Sequence, residues 1–503
     1  MVKDSFYLSA DQFADLVDSR VGALTLLVTW EEGRPAFTIR DSFGHGLRCS
    51  QRLLLEISDG VELLTASGGR LRQGTSSGER FAAQFADGPV KDALADLSPL
   101  RALLPVASGT ARLGRLTLLD DEGKTRARAA LWELTPGKGN AVVLVRVEGV
   151  RGYDKALDDL IDHIRDCGGT SLAAGNLYRM IDPGLLAYRS RPAVEVGRDE
   201  TAFDAATDLI GGYLPVVRAN EDGIISDLDT EFLHDYRVAM RKIRSVLSLF
   251  KGVYVPDQTA DLKARFSALM APTGALRDLD VYLLDQQAFF DLVPDSMHEG
   301  LASMFALLEA RRVQVHAALA AHLRGDAYKA EMKALTKLFR KRNKLLPGPN
   351  ASRASYDLAC ELIQKRYRKI GRIAAGLTSK TPDTEVHALR IECKKLRYLL
   401  EFFGPVFPKE TLLAVLKPLR KLQDSLGLFN DHAVQQARLM TFSDTLGDAP
   451  RKLEIVQSIG ALIVVLHQRQ AAEREKILSS FAAFNSHRMQ RAFRRLLDAG
   501  KES

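Results

Sequence analysis

His234, Arg237, Arg241 and Arg244 are spaced three and four residues apart, and His387, Arg390, Lys394 and Arg397 repeat the pattern 153 positions later (387 − 234). On a helix advancing about 100° per residue, each set forms a stripe about 80° wide. Guanidinium groups bind phosphate oxygens two at a time and lysine supplies a compact cation. Histidine adds a neutral donor or, at mildly acidic pH, a further cation. Such a set holds an anion; it does not by itself cleave one. Like charges at these spacings cost a helix a few tenths of a kcal/mol per pair. A cost incurred in both copies points to an external anion that offsets it. The competing reading is a solvated helix face, or arginines paired internally with acids such as Asp278 and Asp431.

The elements that must carry these stripes are helices. Ile243, Val246, Leu247 and Phe250 lie opposite the first stripe, and Leu396, Leu399, Leu400 and Phe403 opposite the second, so each helix can bury one face and present the other. The repeat extends beyond them: HDYRVAMRKIRSVLSLF from His234 matches HALRIECKKLRYLLEFF from His387, and TGALRDLDV around Asp278 matches LGLFNDHAV around Asp431 at the same offset. Gly274 and Gly427 keep it too. A period this long excludes a solenoid of short units and predicts two fused copies of a several-helix bundle with pseudo-twofold symmetry. Helical periodicity begins near residue 200 and covers 228–251, 299–324, 352–376, 384–403, 409–424, 428–446 and 451–480, with breaks at Pro256, Pro272, Pro294, Pro347-Gly348-Pro349, Pro382 and Pro405.

Charge divides the chain in the same place. Residues 1–200 hold 25 Lys/Arg against 28 Asp/Glu, and residues 201–503 hold 45 against 35, so an anionic partner belongs to the second part. Further basic clusters lie at Lys337 to Lys344, Lys365 to Arg372 and Arg488 to Arg495, of which Lys365, Arg368 and Arg372 share one helical side. With 46% hydrophobic and 26% charged residues and no apolar run near the roughly 18 residues of a membrane span, the composition is that of a soluble globular protein. The N-terminal residues lack an apolar signal region, which makes a cytoplasmic location the expectation. Cys49, Cys167, Cys360 and Cys393 show neither a disulfide framework nor zinc spacing.

Residues 20–150 read as antiparallel β-structure, a sheet or barrel with one face buried, with turns at Asp59-Gly60, Gly68-Gly69, Glu122-Gly123 and 137–140. RLTLLD, ending at Asp120, and VVLVRVEG (142–149) are its clearest strands, a helix over 153–167 closes it, and 168–198 reads as a linker. The fold class is therefore α+β, with an N-terminal domain and linker over 1–195 and a duplicated helical bundle over 196–503, its repeats spanning about 200–350 and 351–503.

The repeated H-x-x-R-x-x-x-[RK]-[RK]-x-R element, followed by a G-x-x-x-D helix start, resembles the CHAD domain, the conserved histidine α-helical domain, over about residues 200–500. Proteins of this kind are implicated in binding inorganic polyphosphate, and some associate with polyphosphate granules. Carried over, the resemblance implies ligand contacts at His234, Arg237, Arg241, Lys242 and Arg244 and at His387, Arg390, Lys394, Lys395 and Arg397, with Asp278 and Asp431 structural. Region 1–170 resembles a divergent CYTH domain, the triphosphate-tunnel β-barrel, best at VRVEGVRGYDKALDDLIDHI. The catalytic E-x-E-x-K signature is absent, since Glu31 and Glu32 are adjacent and followed by Gly33.

A non-catalytic polyphosphate-binding protein without cofactor is the reading these features favour, with Lys365, Arg368 and Arg372 as further contacts. A metal-dependent polyphosphatase or triphosphatase is the alternative, and needs a carboxylate cluster or placed nucleophile that the sequence does not show. A metal held by His234 and His387 would meet an all-basic surround. Nucleic-acid binding fits the charge, but stacking partners among the basic residues are few, with Tyr367 and Tyr398 the main candidates. No membrane partner is expected, and nothing identifies a protein partner.

Overall fold

A computed structural model describes residues 2–57, 60–74, 78–172, 177–181, 188–378 and 380–498. The chain divides into two compact units, Met1–Ser190 and Arg191–Ser503. Asp59 of the first expected turn lies outside the described residues, while the turns at 68–69, 122–123 and 137–140 each join two neighbouring strands.

The first unit runs β1 (Val2–Ser9), α1 (Ala10–Asp18), β2 (Thr25–Trp30), β3 (Ala36–Ser42), α2 (Gly46–Cys49), β4 (Arg52–Ile57), β5 (Gly60–Thr65), β6 (Arg70–Gly74), α3 (Pro89–Ala93), β7 (Leu103–Leu119), β8 (Thr125–Pro136), β9 (Val142–Gly149), α4 (Asp154–Asp166), β10 (Thr170–Ser171) and α5 (Leu177–Ile181). All described pairings are antiparallel and follow the order β10-β1-β9-β8-β7-β3-β4-β5-β6, with β2 on β7. The β-structure thus begins at residue 2 rather than 20. Its first strand ends in a capping box in which Ser9 accepts from the Gln12 amide and Gln12 accepts from Ser9.

The expectation of one buried face is corrected. Val143, Val145 and Val147 of β9 pack with Phe13 and Leu16 of α1 and with Leu157, Leu160 and Ile164 of α4. Val142 and Leu144 point the other way, into a second apolar cluster with Ile39, Leu55, Trp132, Tyr178 and Ile181. Alternation then places apolar residues on both sides, which is why VVLVRV is nearly continuous in hydrophobicity. The sheet curls back on itself, since Arg146 of β9 donates to the Gly68 carbonyl in the β5–β6 turn (2.8 Å). β10 and α5 belong to this unit, so part of the stretch read as a linker packs into the sheet.

The second unit contains α6 (Ala202–Ile225), α7 (Thr230–Leu249), α8 (Pro256–Met270), α9 (Gly274–Leu284), α10 (Gln286–Phe290), α11 (His298–Arg324), α12 (Asp326–Lys341), α13 (Ser355–Ala375), α14 (Asp383–Phe402), α15 (Lys409–Asp444), α16 (Lys452–Phe484) and α17 (His487–Asp498). α14 begins and ends 153 residues after α7 (383 − 230, 402 − 249), and α15 begins 153 after α8 (409 − 256). The copies part company next. α8 and α9 are separated by a tight turn at Ala271–Thr273, whereas α15 runs through Gly427 as one helix, so the two stretches expected at 409–424 and 428–446 are continuous. Pro272 sits in the break, while Pro215 and Pro418 are accommodated inside α6 and α15.

Contacts between a residue and its own counterpart mark the pseudo-twofold axis. Phe250 stacks on Phe403 with ring centres 4.7 Å apart, and the Tyr282 hydroxyl donates to the Gln435 carbonyl (3.2 Å). Apolar side chains of α9, α11, α15 and α16 form one core across this axis. The two repeats therefore cannot be separated without exposing a shared core.

Candidate anion-binding cleft

Asp229 caps α7 by accepting from the amides of Glu231 and Phe232, and Phe232, Tyr236, Met240, Ile243 and Leu247 seat its apolar face. α14 starts behind Pro382 and buries Val386, Leu389, Leu396 and Leu400. With those faces fixed inward, the basic stripes turn toward each other. Between the helices lies a cleft of about 400 Å³ lined by Arg241, Arg244, Ser245 and Ser248 from the first repeat and His387, Arg390, Lys394, Lys395 and Tyr398 from the second.

The cations of the cleft are poorly neutralised. Arg390 stands 3.8 Å from Asp431, and Lys395 donates to Glu392 (3.1 Å). Among the described residues no carboxylate forms an ion pair with Arg241, Arg244 or Lys394. Among the described residues Arg244 donates only to the Met270 sulfur (3.3 Å), a weak acceptor. Nε of Arg241 is buried without a hydrogen-bond partner. Burial and the neighbouring Arg241, Arg390 and Arg397 push the Lys394 ammonium down to about 8, against a smaller opposing pull from Asp431. A cluster that depresses its own lysine is short of negative charge.

His387 is oriented within this frame. Its Nδ1 donates to Asn430 Oδ1 (2.6 Å), so Nε2 faces a ligand as a donor only when the ring is protonated. The neutral donor expected from the sequence is therefore already used by Asn430.

Other residues singled out from the sequence do not line the cleft. Lys242 lies about 80° around the helix from the stripe. It is buried, ion-paired with Glu401 and packed over the rings of Tyr398 (4.1 Å) and Phe402 (5.0 Å), which ties α7 to α14. Arg397 pairs with the same Glu401 (3.5 Å). Arg237 donates to Thr273 (2.5 Å), and His234 shares its end of α7. Lys365, Arg368 and Arg372 are exposed on α13, whereas Arg366 and Lys369, on another side of that helix, hold Glu392. Asp278 pairs with Arg438 across the repeats (2.7 Å). Ser245 and Ser248 escaped notice, although they follow Arg241 at four and seven residues and so share its face. Arg277 carries no signal in the repeat, because the second copy has Asn430 at the equivalent position.

In the first unit, three carboxylates on the sheet are matched by arginines: Glu56 with Arg40 (2.6 Å), Glu62 with Arg70 (2.5 Å) and Glu148 with Arg128 (3.2 Å). Among the described residues no three His, Cys, Asp or Glu side chains converge as metal ligands, and no helix is long and apolar enough to cross a membrane.

Residues 209–440 match the family model described as the CHAD domain. Among solved structures, the CHAD domain from the plant Ricinus communis aligns with a TM-score of 0.50 at 27% identity, covering 60% of this chain and 98% of that one. PptA from Streptomyces chartreusis aligns with a TM-score of 0.41 at 14% identity, covering 59% of this chain and 100% of that one. A search of curated proteins returned no match.

Proposed function

The helical unit carries a CHAD domain over residues 209–440, and on that premise we propose that the chain binds inorganic polyphosphate, without cleaving it, in the cleft between α7 and α14. The observation that carries this reading is the convergence of Arg241, Arg244, Arg390 and Lys394 from two repeats on one cleft, where among the described residues the one ion pair to these four is Arg390 with Asp431 (3.8 Å). Arginine and lysine donors with serine hydroxyls suit phosphoryl oxygens, and each charge-assisted bond is worth roughly 1.5–3 kcal/mol. Tyr398 offers little as a stacking platform, being buried beneath Lys242, which favours a polyphosphate over a nucleic acid.

The first unit fits a divergent CYTH-like barrel that no longer hydrolyses triphosphates. On the face closed by Tyr178 and Ile181, the carboxylates of Glu62 and Glu148 are paired with Arg70, Arg128 and Arg146 rather than left to hold a metal. Residence on polyphosphate granules would follow from a cleft that holds long chains.

Titration of the purified chain with labelled long-chain polyphosphate across a salt series tests the proposal. The five cationic side chains of the cleft, at about 0.7 counterions per phosphate, give a log–log slope of about −3 to −4. A slope near zero, or equal affinity for RNA, would sink the reading, and divalent-metal-dependent release of phosphate would favour the hydrolase instead.

Lys394 adds a pH signature. Its ammonium titrates at about 8, so it is charged below that pH and neutral above it. Affinity is expected to fall by up to about tenfold between pH 7 and 9.5, one charge-assisted bond being lost. In Lys394→Arg, whose charge persists over this range, the fall should disappear.

A further inference from the structure

Three arginine nitrogens on the first-repeat side are buried with no hydrogen-bond partner: Nε of Arg237, Nε of Arg241 and Nη1 of Arg277. Arg241 is one helical turn beyond Arg237 and lines the cleft, so this group continues the cleft rather than standing apart from it. The Arg237 guanidinium is pinned beside the start of α9. It donates to the Thr273 hydroxyl (2.5 Å), which itself donates to the Met270 carbonyl (2.6 Å), and a side chain at Gly274 would meet Arg237 at 4.0 Å. Arg241, Arg277 and Arg244 all bear on Arg237 as like charges.

Most nearby carboxylates are engaged elsewhere. Asp278 is paired with Arg438 (2.7 Å) and Asp280 with Arg312 (2.7 Å), so each acts on Arg237 or Arg277 only as a charge already shared, and Asp285, itself partly buried, also faces Arg277. Unmet donors on fixed guanidinium groups cost stability unless something fills them. The second repeat has no equivalent, for Asn430 stands where Arg277 stands in the first and spends its amide oxygen on His387. Nε of Arg397 in the second repeat also lacks a hydrogen bond but lies 3.5 Å from Glu401, so it is the guanidinium at the Arg277 position that is one-sided.

We propose that Arg277, with Arg237 and the shared Arg241, forms a second anion subsite that takes the phosphoryl groups of a polyphosphate chain as it leaves the cleft. This rests on the function proposed above and adds a direction and a length requirement to it. A compact anion such as tripolyphosphate is held by the cleft alone, while a long chain also engages Arg277. The track runs from Arg390 and Lys394 past Arg241 toward Arg277, and the break between α8 and α9 sets that end.

The test compares the parent chain with Arg277→Gln and Arg277→Lys, using long-chain polyphosphate and tripolyphosphate as separate probes. Arg277→Gln is expected to weaken long-chain binding about tenfold. Its salt slope should be shallower by about 0.7, with tripolyphosphate affinity unchanged. Arg277→Lys should keep the parent slope. Should Arg277→Gln fail to fold, arginine-selective labelling of the parent, read by peptide mass spectrometry, gives the answer: the long chain protects Arg277 and tripolyphosphate does not. Parent-like affinity and slope in Arg277→Gln, equal losses for both probes, or labelling of Arg277 that the long chain leaves unchanged would each overturn the subsite while leaving the cleft intact. A parent that binds neither anion would refute the proposed function itself.

Discussion

A chain with Arg241, Arg244 and Arg390 all changed to alanine is expected to bind long-chain polyphosphate at least about a thousandfold more weakly than the parent. Three charge-assisted bonds of roughly 1.5–3 kcal/mol each set the scale, the lower sum of about 4.5 kcal/mol already being worth over a thousandfold. The informative control changes Lys365, Arg368 and Arg372, which removes the same number of charges. Those residues are exposed on α13 and do not line the cleft. Solvent and salt screen exposed charges over about 8 Å, so this second variant should lose less than about tenfold. Equal losses in the two variants would mean that the unit attracts polyanions by net charge alone and that the cleft has no special part. Neither variant should lower the helical circular dichroism, because none of the six side chains anchors a buried carboxylate.

The fold and the cleft are unequally legible in the sequence. Apolar residues at helical spacing behind His234 and His387 were enough to place α7 and α14 to within two residues, and the common offset implied that the two helices are symmetry mates. That the stripes face one another across a cleft did not follow from periodicity, which gives the direction of a side chain only relative to its own helix. Lys242 and Lys395 occupy equivalent positions, yet one is locked to Glu401 and the other lines the cleft. The deciding residues, Glu401 and Glu392, stand where the first copy has Ser248 and Ala239, so what the copies share does not include them. In the first unit β1 was missed because the pattern around Phe6 and Leu8 runs directly into a capped helix. Burial on both sides of β9 depended on α1 and α4 covering one face, which is a tertiary fact. Arg277 was hidden for the opposite reason: it breaks the repeat, and what breaks a repeat is where one copy has acquired something of its own.

Glu392 offers the sharpest separation of stability from binding. Its buried carboxylate accepts from Lys369 (3.1 Å), from Lys395 (3.1 Å) and from Arg366, joining α13 to α14 behind the cleft. Burial alone would push its pKa up, but these three cations outweigh burial and hold it at about 2. A folded-state value below the unfolded one means that the interaction stabilises the chain fully above about pH 4.5 and is lost as the pH falls toward 2. Glu392→Gln removes the charge at every pH and leaves three cations facing an amide. The expected cost is about 3 kcal/mol, the scale for breaking a buried pair on one side, and the melting temperature should drop by several degrees. The acid-induced loss of stability between about pH 4.5 and 2 should shrink by the same amount. Binding should move the other way. Lys395 lines the cleft, and without Glu392 it is released to a phosphoryl oxygen, so the affinity of the folded variant for polyphosphate at low salt should equal or exceed that of the parent. A variant both less stable and weaker in binding would show that Glu392 positions the cleft rather than merely neutralising part of it, and the charge-deficit argument for anion binding would lose one of its supports.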